Sequence, residues 1–467
     1  MNKKIFLSLA VAVLMAAPAF AAVQNVKVSG NITSSYLNRQ DFDFNQVANG
    51  DDRWKQSLFI TQSTLRVDAD LSDNVSTTVG LINERVWGAE PSANGFTSAS
   101  GTQVDLYLAY VTLREFLYSP LTVNVGRQVF AFGNSLIFDA TGTNNSATGG
   151  LSGVAGDLTM RTSLDAVRAT FDYKPLTVDV FFGKTSSGVV AGVGTKKDDT
   201  DVYGINANYQ LGDAMNTVVE AYLFGMVTGE GATIGALGRS QKLYVPGLRA
   251  STNPVKGLNV QVEGALQRGN AITTAASTIN QQVRAYALQG MASYALPVAE
   301  LEKYKPVISG SYTYVSGDKR LSAENKDITA WNPMLENQGG GTIYNSLFNL
   351  TNLQIVNATV SASPIADVTT SLSWNGLWAA QKLTAASGSD PFGSFTPVQP
   401  DGVTLGTAWQ VSSNKALGNE YDANVAYQYT EDVKFGLNLG WFVPGRAFTA
   451  TNHNTAKQAI ASVGVNF

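Results

Sequence analysis

Apolar and polar residues alternate along most of this chain. In residues 433–443, Val433, Phe435, Leu437, Leu439, Trp441 and Val443 share one face of an extended segment, opposite Lys434, Gly436, Asn438 and Gly440. In residues 420–429, Tyr421, Ala423, Val425, Tyr427 and Tyr429 oppose Glu420, Asp422, Asn424 and Gln428. A period of two marks a strand with a different solvent on each side. Eighteen such runs are predicted: 26–37, 57–71, 75–87, 104–115, 121–129, 166–173, 176–184, 202–209, 217–226, 242–251, 258–268, 283–294, 305–316, 353–362, 368–379, 420–429, 433–443 and 457–467. In the last, Ala459, Ala461, Val463, Val465 and Phe467 oppose Gln458, Ser462, Gly464 and Asn466, with Ile460 breaking the pattern.

The connections are of two kinds that alternate strictly. Eight are short turns, and nine are long and rich in Gly, Ser, Thr and Asn. A sandwich has no reason to place every long loop at one end. A transmembrane antiparallel β-barrel of about 18 strands does, with short periplasmic turns and long extracellular loops. An even count also lets the last run pair with the first, which removes the sheet edge. Residues 130–161, 317–352 and 380–418 exceed normal loop lengths and are candidates to fold over or into the lumen. Trp87, Tyr110, Trp378 and Trp441, near run ends, suit aromatic girdles.

The start of the chain fits export. Met1, Asn2, Lys3 and Lys4 form a basic region, and an apolar run at 5–17 follows. Ala19-Phe20-Ala21 then supplies an A-x-A cleavage site. This is the pattern of a secretory signal peptide over residues 1–21, which leaves a single barrel domain at 22–467. No stretch reaches the ~18 consecutive apolar residues of a transmembrane helix.

Composition narrows the function. The chain is 44% hydrophobic and 15% charged, with 44 glycines and no cysteine. Disulfides, thiolate metal sites and covalent haem attachment are therefore excluded. The formal charge of −4 becomes −6 without Lys3 and Lys4, with 30 basic residues against 36 acidic. That balance argues against nucleic acid, which requires a basic footprint. The one histidine, His453, lies in T-N-H-N-T with no G-x-S-x-G element nearby, so it reads as a solvated loop residue rather than a catalytic base. Asp198, Asp199 and Asp201 read as a solvated charge run rather than a metal site. No cofactor is implied.

The remaining chemistry is charge on the polar faces. Arg66, Asp68 and Asp70 oppose Leu65, Val67 and Ala69, while Arg168 opposes Val167 and Ala169. Glu220, Gln261 and Glu263 likewise oppose apolar neighbours. An ionised residue facing lipid at mid-bilayer costs about 2–4 kcal/mol, so these belong inside. Arg66, Arg85, Arg114, Arg127, Arg161, Arg168, Arg249 and Arg284 are the candidates for a basic lining that would select polar or anionic solutes. The same arginines could instead pair with carboxylates across the lumen and stiffen the wall.

Several segments resemble the alginate-export porin family. Val125-Gly126-Arg127-Gln128, running on to Phe132-Gly133-Asn134, is similar to its "GRQ…G(D/N)" segment, and Ser163-Leu164-Asp165-Ala166-Val167-Arg168 follows after a long loop. Tyr314-Val315-Ser316-Gly317-Asp318 resembles its "Y-x-S-G-D" strand end. Leu417-Gly418-Asn419-Glu420-Tyr421-Asp422, with the later Phe442-Val443-Pro444-Gly445, resembles its closing segment. The resemblance implies an 18-stranded barrel whose arginine-lined lumen passes a polyanionic uronate polymer. It carries Arg127, Asp165, Arg168, Asp318, Glu420 and Asp422 as matching positions. Asn134-Ser135-Leu136-Ile137 stand where that family commonly has an arginine. The expected partners are outer-membrane lipid, a polar or anionic solute, and the barrel-assembly machinery through the terminal Phe467. The other reading from the residues is a structural barrel that ensheathes a partner protein without conducting.

Overall fold

Alternating branched and aromatic residues form strands because each side chain then packs on one face of a pleated, two-sided surface. The computed structural model of the chain describes residues 25–44, 55–88, 104–140, 151, 155–186, 199–229, 240–271, 281–318, 327–338, 340–382, 412–449 and 452–467. The expected signal peptide and most of the 380–418 loop lie outside these residues.

Nineteen strands form one sheet. They are β1 (Asn25–Gln40), β2 (Lys55–Ser72), β3 (Val75–Val86), β4 (Val104–Leu113), β5 (Leu121–Gln128), β6 (Leu164–Asp172) and β7 (Leu176–Ser186). Next come β8 (Thr200–Gln210), β9 (Val218–Thr228), β10 (Gln241–Val255), β11 (Leu258–Ala271), β12 (Gln281–Ala295) and β13 (Val307–Val315). The rest are β14 (Asp327–Ile328), β15 (Leu353–Ile365), β16 (Val368–Ala379), β17 (Ala416–Gln428), β18 (Val433–Pro444) and β19 (Ala456–Asn466). The two-residue β14 only augments β12, in parallel. Strand β13 pairs directly with β15, so the other eighteen strands form the wall, each antiparallel to its neighbours.

The wall closes on itself. Strand β1 pairs with β19 from Asn31↔Asn466 to Gln40↔Lys457, which leaves no free edge. Turns at one end are short. In the turn between β10 and β11, Gly257 has φ +84°, and a Cβ there would lie 2.7 Å from the Ala295 carbonyl oxygen. Only glycine fits both demands.

The outward set carries large apolar side chains, among them Val28, Ile32, Phe59, Leu65, Leu223, Leu248, Leu288 and Leu372, all exposed. Trp87 stacks on Phe59 on that surface with centroids 4.9 Å apart. Tyr110 corrects the girdle expectation: it alternates with the exposed Val111 and points inward, toward Arg66. Ile460 also points inward, packed beside the buried Leu37, Ile60, Leu151 and Ala155.

A barrel of this size leaves an interior too wide for wall side chains to fill. Loop segments occupy part of it. Residues 130–140 and 331–350 contribute Phe130, Phe132, Phe138, Trp331, Leu335, Ile343, Tyr344 and Leu347 to a buried cluster with inward wall residues such as Phe181, Phe224, Val245 and Phe442. Two of the three long excursions therefore do enter the lumen.

Candidate functional site in the barrel lumen

The first insert is anchored through its aromatic residues and its tip. Phe132 stacks on Phe181 and Phe224 at 5.6 and 5.5 Å, and Phe138 lies 4.6 Å from Phe181. Arg168, on β6, donates to Asp179 at 2.8 Å while its guanidinium covers the rings of Phe130 and Phe132 at 5.1 and 5.6 Å. At the tip, Gly133 N–H donates to Glu220 at 3.0 Å and Asn134 N–H to Glu263 at 2.8 Å. Arg249 completes this knot, donating to Asn134 Oδ1 at 2.8 Å, Gln261 at 2.9 Å and Glu220 at 3.2 Å. Gly133 sits at φ +62°, and a Cβ there would meet the Glu263 carboxylate at 2.6 Å.

Carboxylates hold the second insert. Glu420 accepts the backbone N–H groups of Thr342, Ile343 and Tyr344 at 2.6, 2.9 and 2.6 Å. Asp422 accepts the Thr342 hydroxyl at 2.6 Å and the Asn375 amide at 3.1 Å. The inserts also bond to each other: Asp139 N–H donates to Leu335 O at 2.7 Å and Asn337 N–H to Ser135 O at 2.9 Å. Gln338 joins the pair to the wall, accepting from Gln289 at 2.6 Å and donating to Asn134 O at 2.7 Å.

A third segment, 155–161, lies against β1–β4. Arg39 donates to Asp157 at 3.0 Å, with a second contact through Nη2, and to Gln458 at 2.6 Å. Arg161 is 1% exposed in its side chain; its Nε lies 3.3 Å from Glu84 and its Nη1 contacts Asp105. Glu84 also accepts Gln62 Nε2, the Thr159 hydroxyl and Met160 N–H, each at 2.7 Å.

Among the described residues, a pair of adjoining cavities lies beside these inserts. One, of about 380 Å³, is lined by Asp157, Glu336, Gln338, Asn345, Asn438 and Gln458, among others. The second, of about 310 Å³, is lined by Ser371, Asn424, Lys434, Asn438 and Ser462. They share Asn438 and Ile460, so they adjoin along the β16–β19 wall. Asn438 Oδ1 is buried there without a hydrogen-bond partner among the described residues. Glu336 accepts Gln338 N–H at 2.9 Å, and burial between insert and wall pushes its carboxyl up to about 7.

The nominated residues divide into three groups. Arg161, Arg168, Arg249, Glu420 and Asp422 face the lumen but hold inserts in place. Arg66 and Arg114 face the lumen nearer the short-turn end, where Arg66 pairs with Asp68 at 2.8 Å and Arg114 lies 4.0 Å from Asp70. Arg85, Arg127, Asp165 and Arg284 are the correction: they point outward. Arg127 shares parity with the exposed Val125 and Val129, and Asp165 with Val167. The two form a pair at 2.8 Å with side chains 40% and 55% exposed. Arg85 alternates with the inward Glu84 and follows Val79 and Leu81 on the outer face, and Arg284 follows Tyr286 and Leu288. Lys184, also outward, pairs with Asp199 and Asp201 at 2.7 and 2.6 Å, which accounts for the described part of that acidic run. His453 is exposed. Among the described residues no group of three or more His, Cys, Asp or Glu is arranged to hold a metal.

Sequence reasoning missed the Phe130–Phe132–Phe138 anchor and the amides Gln338 and Asn345, and it placed Asn438 on the polar face without nominating it as a site residue. Three phenylalanines within nine residues of a nominal loop, F-A-F-G-N-S-L-I-F, were the available signal. Solvent-exposed loops seldom carry such a run.

Solved outer-membrane barrels of Pseudomonas aeruginosa share this fold. OccK1 (OpdK) is 11% identical with a TM-score of 0.56, covering 95% of this chain and 99% of its own. OccD3 (OpdP) is 13% identical with a TM-score of 0.51, at 95% and 92% coverage. OccK2 (OpdF), solved in complex with glucuronate, is 11% identical with a TM-score of 0.52, at 95% and 99% coverage. No curated protein matches in sequence. The sequence profile described as "Alginate export" matches residues 26–462, nearly the whole described barrel. The chain belongs to the alginate-export family, as a closed 18-stranded outer-membrane β-barrel channel.

Proposed function

We propose that the barrel passes polar and anionic sugars, in particular uronates and their short oligomers, by passive diffusion along the β16–β19 wall. The observation that carries this reading is the adjoining pair of cavities that meet at Asn438 and Ile460. Their polar lining is mostly amide and hydroxyl. The Asn438 amide stands at their junction and is held there by its bond to Asn424. Conduction requires contacts strong enough to replace water yet weak enough to release the solute. Neutral amides meet that condition better than a ladder of free arginines would. The luminal guanidiniums of Arg39, Arg161, Arg168 and Arg249 are each matched by a carboxylate, which limits their pull on a polyanion.

Arg66 and Arg114 are the nominated residues best placed to meet a passing solute, because both keep exposed side chains toward the short-turn mouth. The glucuronate bound by OccK2 supports a uronate-sized anion, as does the family's description. Proteoliposome swelling tests the reading. Wild-type barrel should admit glucuronate and neutral disaccharides faster than protein-free vesicles do. Vesicles that stay sealed to both, with the barrel folded by heat-modifiability, would favour a structural barrel that ensheathes a partner.

A further inference from the structure

Outside the lumen, three cations sit together near the loop ends of β10–β12. Arg268 and Arg284 face each other across adjacent strands on the outward surface, and both are exposed. Lys242, also exposed, lies on the neighbouring strand one outward step closer to the loops, since its neighbour Tyr244 is the residue opposite Arg268. Like charges placed directly opposite in a sheet destabilise it unless an anion lies between them. Arg284 is 3.5 Å from Asp327 and donates to Gln282 at 3.0 Å. Among the described residues, Arg268 donates only to backbone oxygens, those of Gln267 at 2.7 Å and Ala285 at 3.5 Å. That leaves three cations to one carboxylate among the described residues of this patch.

Directly below, away from the loops, the outer surface is hollow. A groove of about 500 Å³ is lined by Gly264, Leu266, Tyr286, Leu288, Tyr312 and Tyr314, with Ala265 and Ala287 at its base. Leu266 and Tyr286 are opposite one another in the row next to the arginine pair. Gly264 leaves the floor low, although a Cβ there would meet only Leu288 at 3.7 Å and Ala287 O at 3.9 Å. Packing within the protein does not require glycine at that point. Tyr286 and Tyr314 stack at 5.3 Å and form one rim.

We infer that this surface binds a phosphorylated lipid of the outer leaflet. The phosphate sits between Arg268 and Arg284 with Lys242 beside it, and an acyl chain lies in the Gly264 groove. Guanidinium groups suit phosphate through paired charge-assisted hydrogen bonds. The tyrosine rims place the groove at the level of an aromatic girdle, just below a headgroup layer. The assignment depends on the long loops facing the cell exterior and not on which solute the lumen passes.

The test uses the full barrel folded in detergent and titrated with diphosphorylated lipid A, with bound lipid counted by native mass spectrometry. Arg268→Gln with Arg284→Gln should weaken binding ~tenfold or more, the size of effect expected when charge-assisted contacts are removed. Gly264→Leu should also weaken it while leaving both arginines in place. Lys457→Gln, an exposed outward cation on β19, should leave binding unchanged. Heat-modifiability and single-channel conductance verify that each variant folds. Equal binding by wild type and the double variant would overturn the inference. So would an equal loss with Lys457→Gln, equal binding of dephosphorylated lipid A, or full displacement by equimolar inorganic phosphate.

Discussion

Gly30 and Phe467 exchange two backbone hydrogen bonds at the barrel seam, Gly30 N–H to Phe467 O at 2.8 Å and Phe467 N–H to Gly30 O at 3.1 Å. The phenyl ring lies over the glycine, where a Cβ would come within 2.5 Å of Cζ and 2.6 Å of the Thr64 backbone oxygen. Phe467 is therefore part of the closure itself. The ring could swing away from a larger residue, but the Thr64 carbonyl cannot. Gly30→Val should destabilise the seam by about 1–3 kcal/mol, the usual cost of overpacking. A lower denaturation midpoint for the heat-modifiable band checks it, and an unchanged midpoint would show that the seam tolerates the extra volume. Deleting Phe467 should lower the yield of folded barrel before it alters conductance.

The first insert stays in the lumen because its rings are buried. Phe132→Ala should cost about 3–5 kcal/mol of local packing and release residues 130–140 from Phe181 and Phe224. Single-channel conductance should rise, with more open-state noise. An unchanged trace would mean that the backbone bonds of Gly133 and Asn134 to Glu220 and Glu263 hold the insert without the rings.

Arg161 offers a different comparison. Its guanidinium is enclosed against Glu84 and Asp105, so Arg161→Ala leaves Glu84 buried with less compensation, a loss of about 3–5 kcal/mol. Thermal unfolding in detergent should shift downward. Arg66→Ala removes an exposed pair and should leave stability nearly unchanged, since such pairs contribute about 0–1 kcal/mol. If both variants unfold alike, the buried pair is no more than a surface one.

Glu336 gives the lumen a titrating group. Its carboxyl is raised from 4.5 to about 7 by burial. The uncharged form favours the folded insert fully below 4.5, and that contribution is lost as pH rises through about 7. Above that range the cavity gains a negative charge, so reversal potentials should move toward cation preference between about pH 6 and 8. Glu336→Gln should abolish the shift. A shift that survives in the variant assigns it to another group.

The barrel was legible in the sequence because a period of two is a local property. It survives in every strand, and short turns alternating with long loops add the direction of each end. The same rule, applied strictly, would have placed Arg127 correctly, since Val123, Val125 and Val129 share its parity. Arg127 stands among the candidate arginines without regard to its parity, and the family motif that carries Arg127 and Asp165 contains no information about face. Arg85 and Arg284 were grouped as arginines and not by their neighbours Leu81 and Tyr286. What alternation cannot show is the lumen's contents. Glu420 and Asp422 look like free luminal charges on a strand, yet they bind residues 342–344, contacts about eighty positions apart that only the folded inserts create.

The conducting route is tested most directly at the residue both cavities share. Single-channel current carried by potassium glucuronate should fall severalfold in Asn438→Trp, because the indole would fill the junction between the two spaces. The same substitution at the outward Phe435, which lines neither cavity, should leave current unchanged. Equal glucuronate current in Asn438→Trp and wild type, with both barrels folded, would contradict the assignment of the path to the β16–β19 wall.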